Sequence, residues 1–251
     1  MRKLQVRIAK AHKEKRYNKV KALRYLLATS YEAKALAIRK VTSNKGKRTA
    51  GVDHVLWDTD ARKVNALCSL KRRGYRALPL KRVNIPKKNR KMRPLGIPTM
   101  RDRAMQALYL MALEPVTETT ADANSYGFRK FRSTADAIDA LHRWLSRDCS
   151  PQWILEGDIK GCFDHISHEW LLDNVRIDKH ILGKWLKSGV VFNKLLQPVV
   201  EGTPQGGIIS PTLANAALDG MERILKEKYK VSYIDGRLYH PKVNCVRYAD
   251  D

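Results

Sequence analysis

The chain of 251 residues carries 49 Lys and Arg residues against 25 Asp and Glu residues, a formal net charge of +24 at pH 7, and 43% of its residues are hydrophobic. This hydrophobic content is typical of a globular protein with a substantial core and excludes a disordered chain. No apolar run approaches the ~18 to 20 residues of a membrane span, and the charged N-terminus does not resemble a secretory signal, so we expect a cytoplasmic protein.

The positive charge is concentrated in the N-terminal part of the sequence. Residues 1–103 contain 31 Lys and Arg residues against 6 Asp and Glu residues, whereas residues 104–251 contain 18 against 19. A surface that only keeps a protein soluble mixes both signs of charge, so this asymmetry favours a surface that neutralises nucleic-acid phosphates. Composition alone does not distinguish RNA from DNA.

The first elements are predicted from hydrophobic spacing. Residues 1–16 are basic without a clear apolar face and are expected to form an exposed arm. Apolar residues recur at three- and four-residue spacing over residues 17–38, which predicts one amphipathic helix. The polar segment 42–51 is interpreted either as a flexible connection or as a nucleic-acid contact. A second helix is expected to begin with Asp58 as its N-cap and to end at Gly74.

The middle of the chain predicts a basic β-hairpin followed by a buried helix. Residues 82–86 and 91–97 are predicted strands joined by a turn at 87–90. Residues 101–116 are expected to form a helix. Its predicted core side chains are Met105, Leu108, Leu110, Met111 and Leu113.

A basic aromatic loop and a capped helix come next. Residues 126–132 resemble in composition the segments with which single-strand binders stack bases, but Phe128 or Phe131 is equally well interpreted as a core residue. Ser133 is predicted to cap the following helix, with Asp136 in a loose capping box. The buried face of this helix is expected to contain Ala137, Ile138, Leu141 and Trp144.

The last part of the chain mixes helices and strands. Helices are predicted over residues 167–175 and 178–191, a short strand over 196–200, and a long helix from Pro211 through Leu225. The fold class is therefore predicted to be α+β.

Two of the predicted strands end in carboxylates. Residues 153–159 form a short apolar run of buried-strand type that contains Asp158, and the alternating residues 243–248 lead to a turn with Asp250 and Asp251. An acidic pair alone is a weak signal, because such pairs are common in solvated turns and helix caps. If the two strands are neighbours, three carboxylates meet, repel one another and require cations, and their hard oxygen atoms suit Mg²⁺. The expected chemistry is two-metal phosphoryl transfer.

Three motifs occur in the order and at the spacing of a known family. Asp158 is followed five positions later by Phe163, residues 202–211 are Gly-Thr-Pro-Gln-Gly-Gly-Ile-Ile-Ser-Pro, and residues 248–251 are Tyr-Ala-Asp-Asp. Together these motifs closely resemble the reverse transcriptases encoded by bacterial group II introns, also called maturases. Further matches lie at residues 49–53, 92–99 and 125–129, and the resemblance covers residues 20–251.

The resemblance implies the fingers and a partial palm of a right-hand polymerase, truncated at the catalytic hairpin. Residues 1–16 would be a basic N-terminal arm, residues 17–150 the fingers with an N-terminal extension and the fingertip hairpin, and residues 151–251 the incomplete palm. The implied function is RNA-directed DNA synthesis together with binding of the parent intron RNA, which assists splicing and mobility. The 251-residue chain is expected to fold and bind RNA but to be an incomplete catalyst.

The resemblance also implies a metal site. Asp158 and Asp250 would be the principal ligands of two Mg²⁺ ions, with the carbonyl of Ile159 as an additional ligand. Asp251 would either bind metal or tune the site. All three aspartates are therefore candidate catalytic residues.

Nucleotide contacts would come from the fingertip hairpin and the glycine-rich motif. Arg93 matches the position that contacts the triphosphate, and its planar fork suits phosphate oxygens. Lys87 or Lys91 would assist it. Phe163 would stand under the sugar and exclude a ribose 2′-hydroxyl. The contacts near the incoming base and sugar would be made by Gln205 and Gly206.

Contacts with RNA are expected from two basic loops. The residues concerned are Lys45, Lys47 and Arg48 in the first loop and Arg129 and Arg132 in the second. The family has Pro and Gly after the residue that matches Arg129, where this sequence has Lys130 and Phe131. The implied partners are group II intron RNA, an RNA template with a DNA primer, and deoxynucleoside triphosphates, but no membrane. Homodimer formation is left open.

Two alternatives remain at this stage. A retron, a diversity-generating element or a CRISPR-associated system also encodes a reverse transcriptase, although Pro204-Gln205-Gly206 argues against the diversity-generating type and the N-terminal extension favours the intron type. The other alternative is an RNA-binding splicing factor whose polymerase activity is vestigial. The intact carboxylates weigh against that alternative without excluding it.

Overall fold

The computed structural model describes residues 1–86, 92–204 and 206–251. Its α-helices are α1 (Arg2–Lys13), α2 (Tyr17–Thr29), α3 (Tyr31–Ser43), α4 (Asp60–Ser69), α5 (Met100–Thr120), α6 (Thr134–Leu145), α7 (His168–Asn174), α8 (Lys179–Leu186), α9 (Ser210–Leu218) and α10 (Met221–Lys228). Its β-strands are β1 (Leu80–Pro86), β2 (Met92–Ile97), β3 (Val190–Phe192), β4 (Leu195–Gln197), β5 (Ser232–Ile234) and β6 (Arg237–Tyr239). This mixture of helices and sheets confirms the α+β class. No helix within the described residues is long and apolar enough to cross a membrane.

The chain divides into two compact units. The first unit contains residues 1–119 and 163–213, and the second contains residues 120–162 and 214–251. Each unit joins segments that are distant in the sequence, so the units do not coincide with the consecutive ranges expected for fingers and palm. The assignment of fingers and palm stays a prediction.

Helix α5 forms the centre of the first unit. Its residues Met105, Leu108 and Leu113 are fully buried, and the polar residues Asp102 and Gln106 are buried with them. A helix that buries its whole circumference lies inside a core rather than on its edge. The helix predicted over residues 101–116 is confirmed, and the structure extends it at both ends.

The N-terminal residues form helix α1, so the prediction of an exposed arm is wrong. Ile8 and Ala11 are buried, and the Gln5 side chain donates a hydrogen bond to the carbonyl oxygen of Met111 in α5 (2.9 Å). Spaced three residues apart, Ile8 and Ala11 share one face of the helix. This narrow apolar stripe is enough to dock a helix whose other faces are basic.

The single helix predicted over residues 17–38 is two helices, α2 and α3. Ser30 separates them in an extended conformation, and its side chain accepts a hydrogen bond from the backbone N–H of Ala33. The apolar spacing continues across the break because both helices bury residues in the first unit, Val20 and Leu27 from α2 and Ala37 from α3. Ser30 is thus an N-cap that the hydrophobic pattern concealed.

Helix α4 is shorter than predicted. Thr59, not Asp58, is its N-cap and accepts the hydrogen bond from the backbone N–H of Arg62. The helix ends at Ser69 rather than at Gly74.

A buried polar network fixes the segment after α4. The hydroxyl of Tyr75 donates to Asp102 Oδ1 (2.5 Å), Thr99 Oγ1 donates to Asp102 Oδ2 (2.7 Å), and Trp185 Nε1 donates to the Tyr75 oxygen (2.7 Å). Burial raises the pKa of both Tyr75 and Asp102 above their ordinary values. Because buried polar groups are costly unless they are paired, this network selects one arrangement of the segment on α5 and α8.

A four-stranded sheet of order β2-β1-β3-β4 carries the predicted hairpin. β1 and β2 are antiparallel, with Ile85 opposite Arg93, and β1 pairs in parallel with β3. The helix predicted over residues 178–191 ends earlier, because Gly189 (φ +73°) turns the chain into the β3–β4 hairpin. The strand predicted at residues 196–200 is formed only in part, because β4 ends at Gln197. The predicted turn at residues 87–90 lies outside the described residues.

Helix α6 opens the helical part of the second unit. The predicted capping box is present, since Asp136 accepts a hydrogen bond from the Ser133 backbone N–H (2.6 Å) and Ser133 accepts one from Asp136. The predicted apolar face is wrong in part, because Ile138 and Leu141 are exposed. Trp144 is half-buried. Ala137 is buried as predicted, and together with Ala140 it packs with Tyr126 and Val246.

The two strands predicted to carry the carboxylates are not formed. Residues 153–159 have no strand conformation, and Trp153 and Leu155 are almost fully exposed. Residues 243–248 contribute a single β-bridge, between Arg247 and Ser125. A strand requires a neighbour that pairs with its backbone N–H and C=O groups, and the described part of this unit offers neither segment such a ladder.

The long helix predicted from Pro211 is broken into α9 and α10. Gly220 stands between them with φ +107°, and its N–H donates to Asp122 Oδ2 (2.9 Å). The small hairpin of β5 and β6, with Ser232 opposite Tyr239, was not predicted from the sequence.

Candidate active site

The segment of Asp158 lies beside the C-terminal turn in the second unit. The backbone N–H of Ile159 donates a hydrogen bond to the carbonyl oxygen of Asp250 (3.1 Å). The N–H of Cys162 in turn donates to the carbonyl oxygen of Ile159 (3.2 Å). Two segments that are about 90 residues apart in sequence, and that were predicted to meet, are therefore neighbours.

Residues 248–251 form a closed turn. The N–H of Tyr248 donates to the carbonyl oxygen of Asp251 (2.8 Å), and the N–H of Asp251 donates to that of Tyr248 (3.2 Å). Ala249 inside the turn is buried and has φ +65°, a conformation that costs free energy for a residue with a side chain. Contacts from outside the turn must therefore hold it.

Arg247 is the main support of this turn. Its guanidinium is buried and donates to the carbonyl oxygen of Ala249 (2.8 Å), to Asn215 Oδ1 (2.9 Å) and to Asp219 Oδ1 (3.0 Å). Burial raises the pKa of Asp219, while the charge of Arg247 opposes that shift. The arginine thus joins the turn to α9 and to the residue that follows it.

Gly127 allows a close approach from the other side. A Cβ atom at this position would lie 2.2 Å from the nitrogen of Ala249. The carbonyl oxygen of Gly127 also accepts a hydrogen bond from Asn215 Nδ2 (2.8 Å). Only glycine lets the 126–132 loop and the C-terminal turn pack this closely.

The two arginines expected to bind RNA in the 126–132 loop are engaged within the second unit. Arg129 donates to the carbonyl oxygens of Asp122 (2.7 Å) and Ser125 (2.8 Å). Arg132 lies over the ring of Tyr126, with Cζ 5.3 Å from the ring centroid. Both arginines therefore have a structural role as well. Of the two phenylalanines considered as core residues in this loop, Phe131 is fully exposed and Phe128 is about half exposed.

The oxygen-rich donor set at the turn suits Mg²⁺ in its chemistry. Asp158 and Asp251 are exposed and Asp250 is half-buried. In the described residues, however, no three His, Cys, Asp or Glu side chains are grouped so that they could hold a metal ion. The structure brings the backbones of Ile159 and Asp250 together but does not gather the three carboxylates.

The described residues expected to contact the nucleotide, Arg93, Phe163 and Gly206, lie in the first unit. The N–H of Thr203 donates to the carbonyl oxygen of Phe163 (2.6 Å), and the N–H of Gly202 donates to that of Ile166 (2.8 Å). Gly202 has φ +84°, and a Cβ there would lie 2.6 Å from the carbonyl oxygen of Asp164. The glycine-rich motif is therefore fixed directly against the Phe163 segment.

The same motif contacts the basic hairpin. Gly206 has φ +109°, and a Cβ at this position would lie 2.7 Å from the carbonyl oxygen of Gly96 at the end of β2. Arg93 is exposed on β2, and Gln106 of α5 accepts a hydrogen bond from the N–H of Ile208 (2.8 Å). Arg93, Gly206 and Phe163 thus lie on elements that contact one another. The other expected nucleotide contacts, Lys87, Lys91 and Gln205, lie outside the described residues.

The loop over residues 42–51 is held in place, so its interpretation as a flexible connection is wrong. Buried Arg103 donates from Nη1 to the carbonyl oxygen of Gly46 (2.9 Å), from Nη2 to that of Thr49, and from Nε to that of Pro98 (2.9 Å). Burial lowers the pKa of Arg103, while the charge of Asp53 opposes that shift. The three cationic side chains on this loop, Lys45, Lys47 and Arg48, are exposed.

The sequence did not reveal Arg103 or Arg247 as supporting residues. One signal was available for Arg103, because a cation inside an apolar helix requires buried acceptors. No comparable signal marked Arg247, whose partners come from α9 and from the turn itself.

Comparisons with known proteins agree with these features. Residues 85–251 match the family described as reverse transcriptase (RNA-dependent DNA polymerase), and residues 1–70 match the N-terminal domain of reverse transcriptase. Protein YkfC of Escherichia coli (strain K12) is 40% identical over 217 residues, which are 81% of this chain and 57% of that protein. The group II intron-encoded protein LtrA of Lactococcus lactis subsp. cremoris is 38% identical over 205 residues, 78% of this chain and 34% of that protein.

The chain therefore spans between about a third and somewhat over half of these relatives. The predicted resemblance to group II intron-encoded proteins is confirmed by the similarity to LtrA. Because the family match covers most of the sequence, the chain belongs to the reverse transcriptase (RNA-dependent DNA polymerase) family.

Proposed function

We propose that the protein is an RNA-directed DNA polymerase encoded by a group II intron and that it also binds the intron RNA. The observation that carries this proposal is the family match over residues 85–251, which includes every motif assigned to catalysis. The hydrogen bond between Ile159 and Asp250 supports it, because the two carboxylate-bearing segments are neighbours. Residues 17–150 and 151–251 would act as fingers and palm.

Asp158 and Asp250 would hold two Mg²⁺ ions, with Asp251 and the carbonyl of Ile159 as further ligands. Such ions activate the primer 3′-hydroxyl and neutralise charge on the reacting phosphate. The protein's own part is to keep the turn in place, which Arg247 and the close contact at Gly127 do.

The incoming deoxynucleoside triphosphate would bind at the surface shared by β2, the glycine-rich motif and the Phe163 segment. Arg93 is exposed there and would hold phosphate oxygens with its fork of N–H groups. Gly206, which packs on β2, would let the backbone approach the nucleotide. Phe163 would exclude a ribose 2′-hydroxyl and so select deoxynucleotides.

Intron RNA and the template–primer duplex would bind to the basic surface. The excess charge of residues 1–103 and the exposed side chains of Lys45, Lys47 and Arg48 support this assignment. Because Arg103 fixes their loop, these cations form a defined surface.

One observation favours a second candidate function, that of an RNA-binding splicing factor with vestigial polymerase activity. The three aspartates are not gathered into a metal-binding group in the described residues. A protein that uses only its basic surface would need no such group.

Primer extension on an RNA template in the presence of Mg²⁺ separates the two candidates. We would compare the 251-residue chain with a form extended to the length of its relatives, each with and without Asp158→Ala. Extension that is lost in Asp158→Ala and kept in the exposed control Asp148→Ala would support the polymerase. Tight intron-RNA binding without extension by any form would favour the splicing factor.

A further inference from the structure

One face of α2 combines cations and aromatic rings. Tyr17, Lys21 and Arg24 follow one another at four- and three-residue spacing, which places them along one side of the helix, and Tyr25 adjoins them. Tyr17 and Tyr25 are exposed, whereas Arg24 is half-buried. Its Nε is fully buried and has no hydrogen-bond partner among the described residues.

A second arginine lies near Arg24. Arg176, in the connection between α7 and α8, lies over the ring of Tyr17 with Cζ 3.8 Å from its centroid. Burial lowers the pKa of Arg24 to about 10, Asp178 opposes this shift, and the charge of Arg176 adds to it. The ring of His12 lies 5.9 Å from that of Tyr17, and burial and both arginines lower its pKa. The fold thus places the two arginines close enough to repel each other.

The nearby carboxylate, Asp178, is already bound by other groups. Asp178 is bound by the guanidinium of Arg72 and accepts hydrogen bonds from the backbone N–H groups of His180 (3.1 Å) and Ile181 (3.3 Å) at the start of α8. It forms no ion pair with Arg24 or Arg176 in the described residues. Like charges gathered at a half-buried site form a binding site for an anion.

We propose that Arg24 and Arg176 bind a backbone phosphate of single-stranded RNA. The guanidiniums of half-buried Arg24 and exposed Arg176 would hold the phosphate oxygens, and the exposed ring of Tyr25 would stack on an adjoining base, as aromatic residues do in single-strand binding proteins. The choice of RNA rests on the RNA-binding part of the proposed function. The site itself rests on the cation cluster and is separate from the carboxylate turn.

Fluorescence anisotropy with a labelled single-stranded RNA, at several salt concentrations, tests the site without requiring catalysis. Arg24→Gln and Arg176→Gln should each weaken binding by roughly 3- to 10-fold and reduce the slope of log affinity against log salt by at most about 0.7, the value for the complete loss of one single-strand phosphate contact. The matched control is Arg62→Gln, an exposed arginine of the same unit that already pairs with Asp58. If the two site variants bind RNA as Arg62→Gln does, the proposal is wrong.

Inorganic phosphate distinguishes an RNA site from a site for free phosphate. Phosphate should raise the Tm of the wild type above its value in sodium chloride of equal ionic strength, and this increase should be lost in Arg24→Gln. Stabilisation by phosphate combined with unchanged RNA affinity of both variants would overturn the assignment to RNA. Absence of any stabilisation of the wild type would overturn the anion site. Arg176 is exposed, so Arg176→Gln decides the RNA test if Arg24→Gln does not fold.

The RNA-binding test does not depend on polymerase activity. Primer extension can fail while the salt-dependent loss of RNA affinity in Arg24→Gln remains, and that loss would still establish the phosphate site.

Discussion

The two units of the molecule are stabilised by different means. The first packs its elements around α5, whose side chains are buried on all sides. The second has a small core of Tyr126, Ala137 and Ala140, and it leaves large apolar residues such as Trp153 and Leu155 exposed. The position of its C-terminal turn depends mainly on the hydrogen bonds of Arg247. Nucleotide contacts are thus proposed on a well-packed frame, and carboxylate contacts on a turn held by polar groups.

The largest effect is expected in the second unit, from Arg247→Ala. Removing one partner of a buried charged network costs about 3–5 kcal/mol, because Asp219 and Asn215 would remain buried without their donor. Native-state hydrogen exchange should show faster exchange in peptides from residues 120–162 and 214–251. Arg247→Lys should restore part of the protection, and protection equal to that of the wild type would show that the turn does not depend on Arg247.

A pair of leucines, one from each unit, compares how much the burial of a large apolar side chain stabilises each unit. Leu108 in α5 is 1% exposed and Leu155 in the second unit is 98% exposed. Leu108→Ala should reduce the free energy of unfolding by about 2–5 kcal/mol, since it leaves a cavity, and Leu155→Ala by less than about 0.5 kcal/mol. Urea denaturation measures both. Similar losses for the two variants would contradict the exposure of residues 153–155.

A matched pair of glycines tests the support of the turn. Gly127→Ala places a Cβ against Ala249, which requires backbone movement and should cost about 1–3 kcal/mol. Gly157→Ala in the same unit meets no atom within 4 Å and should be nearly neutral. Thermal denaturation of both variants gives the comparison, and equal Tm values would argue against the close packing at Gly127.

The smallest effect concerns His12 in the first unit. Its pKa is lowered below 6.5 by burial and by the charges of Arg176 and Arg24. A group whose folded pKa is lowered stabilises the fold above its unfolded pKa, and that contribution is lost as the pH falls through 6.5 towards the folded value. Urea denaturation of the wild type should therefore show lower stability at pH 5 than at pH 8, both about 1.5 units from the ordinary histidine pKa.

His12→Gln serves as the control for that measurement and should flatten this part of the pH profile. NMR titration of the imidazole should also find a higher His12 pKa in Arg24→Gln than in the wild type, since one repelling charge is gone. A pKa unchanged by the substitution would show that Arg24 does not act on His12.

The sequence correctly predicted those helices and strands whose determinants lie close together along the chain. Helix α5, the β1–β2 hairpin and the Ser133 capping box were all recognised, because periodicity, turn residues and caps are encoded within a few residues of one another. Helix α1 was missed because its apolar stripe is narrow. The strands predicted at residues 153–159 and 243–248 failed because a strand depends on its neighbours.

The candidate site was predictable to a similar extent. The contact between the Ile159 and Asp250 segments was predicted, because the resemblance indicated that the two motifs are neighbours. Arg103 and Arg247 could not be assigned in this way. Their partners, including Gly46, Thr49 and Asn215, become neighbours only through contacts between distant segments.

The three hydrogen bonds of Arg103 have a consequence for binding thermodynamics. Two of them, to Gly46 and Thr49, order the loop that carries Lys45, Lys47 and Arg48 while the chain folds. The loss of conformational entropy therefore occurs during folding and does not oppose association with a nucleic acid. The loop is preorganised, and its three cations can contribute their full electrostatic attraction to a partner.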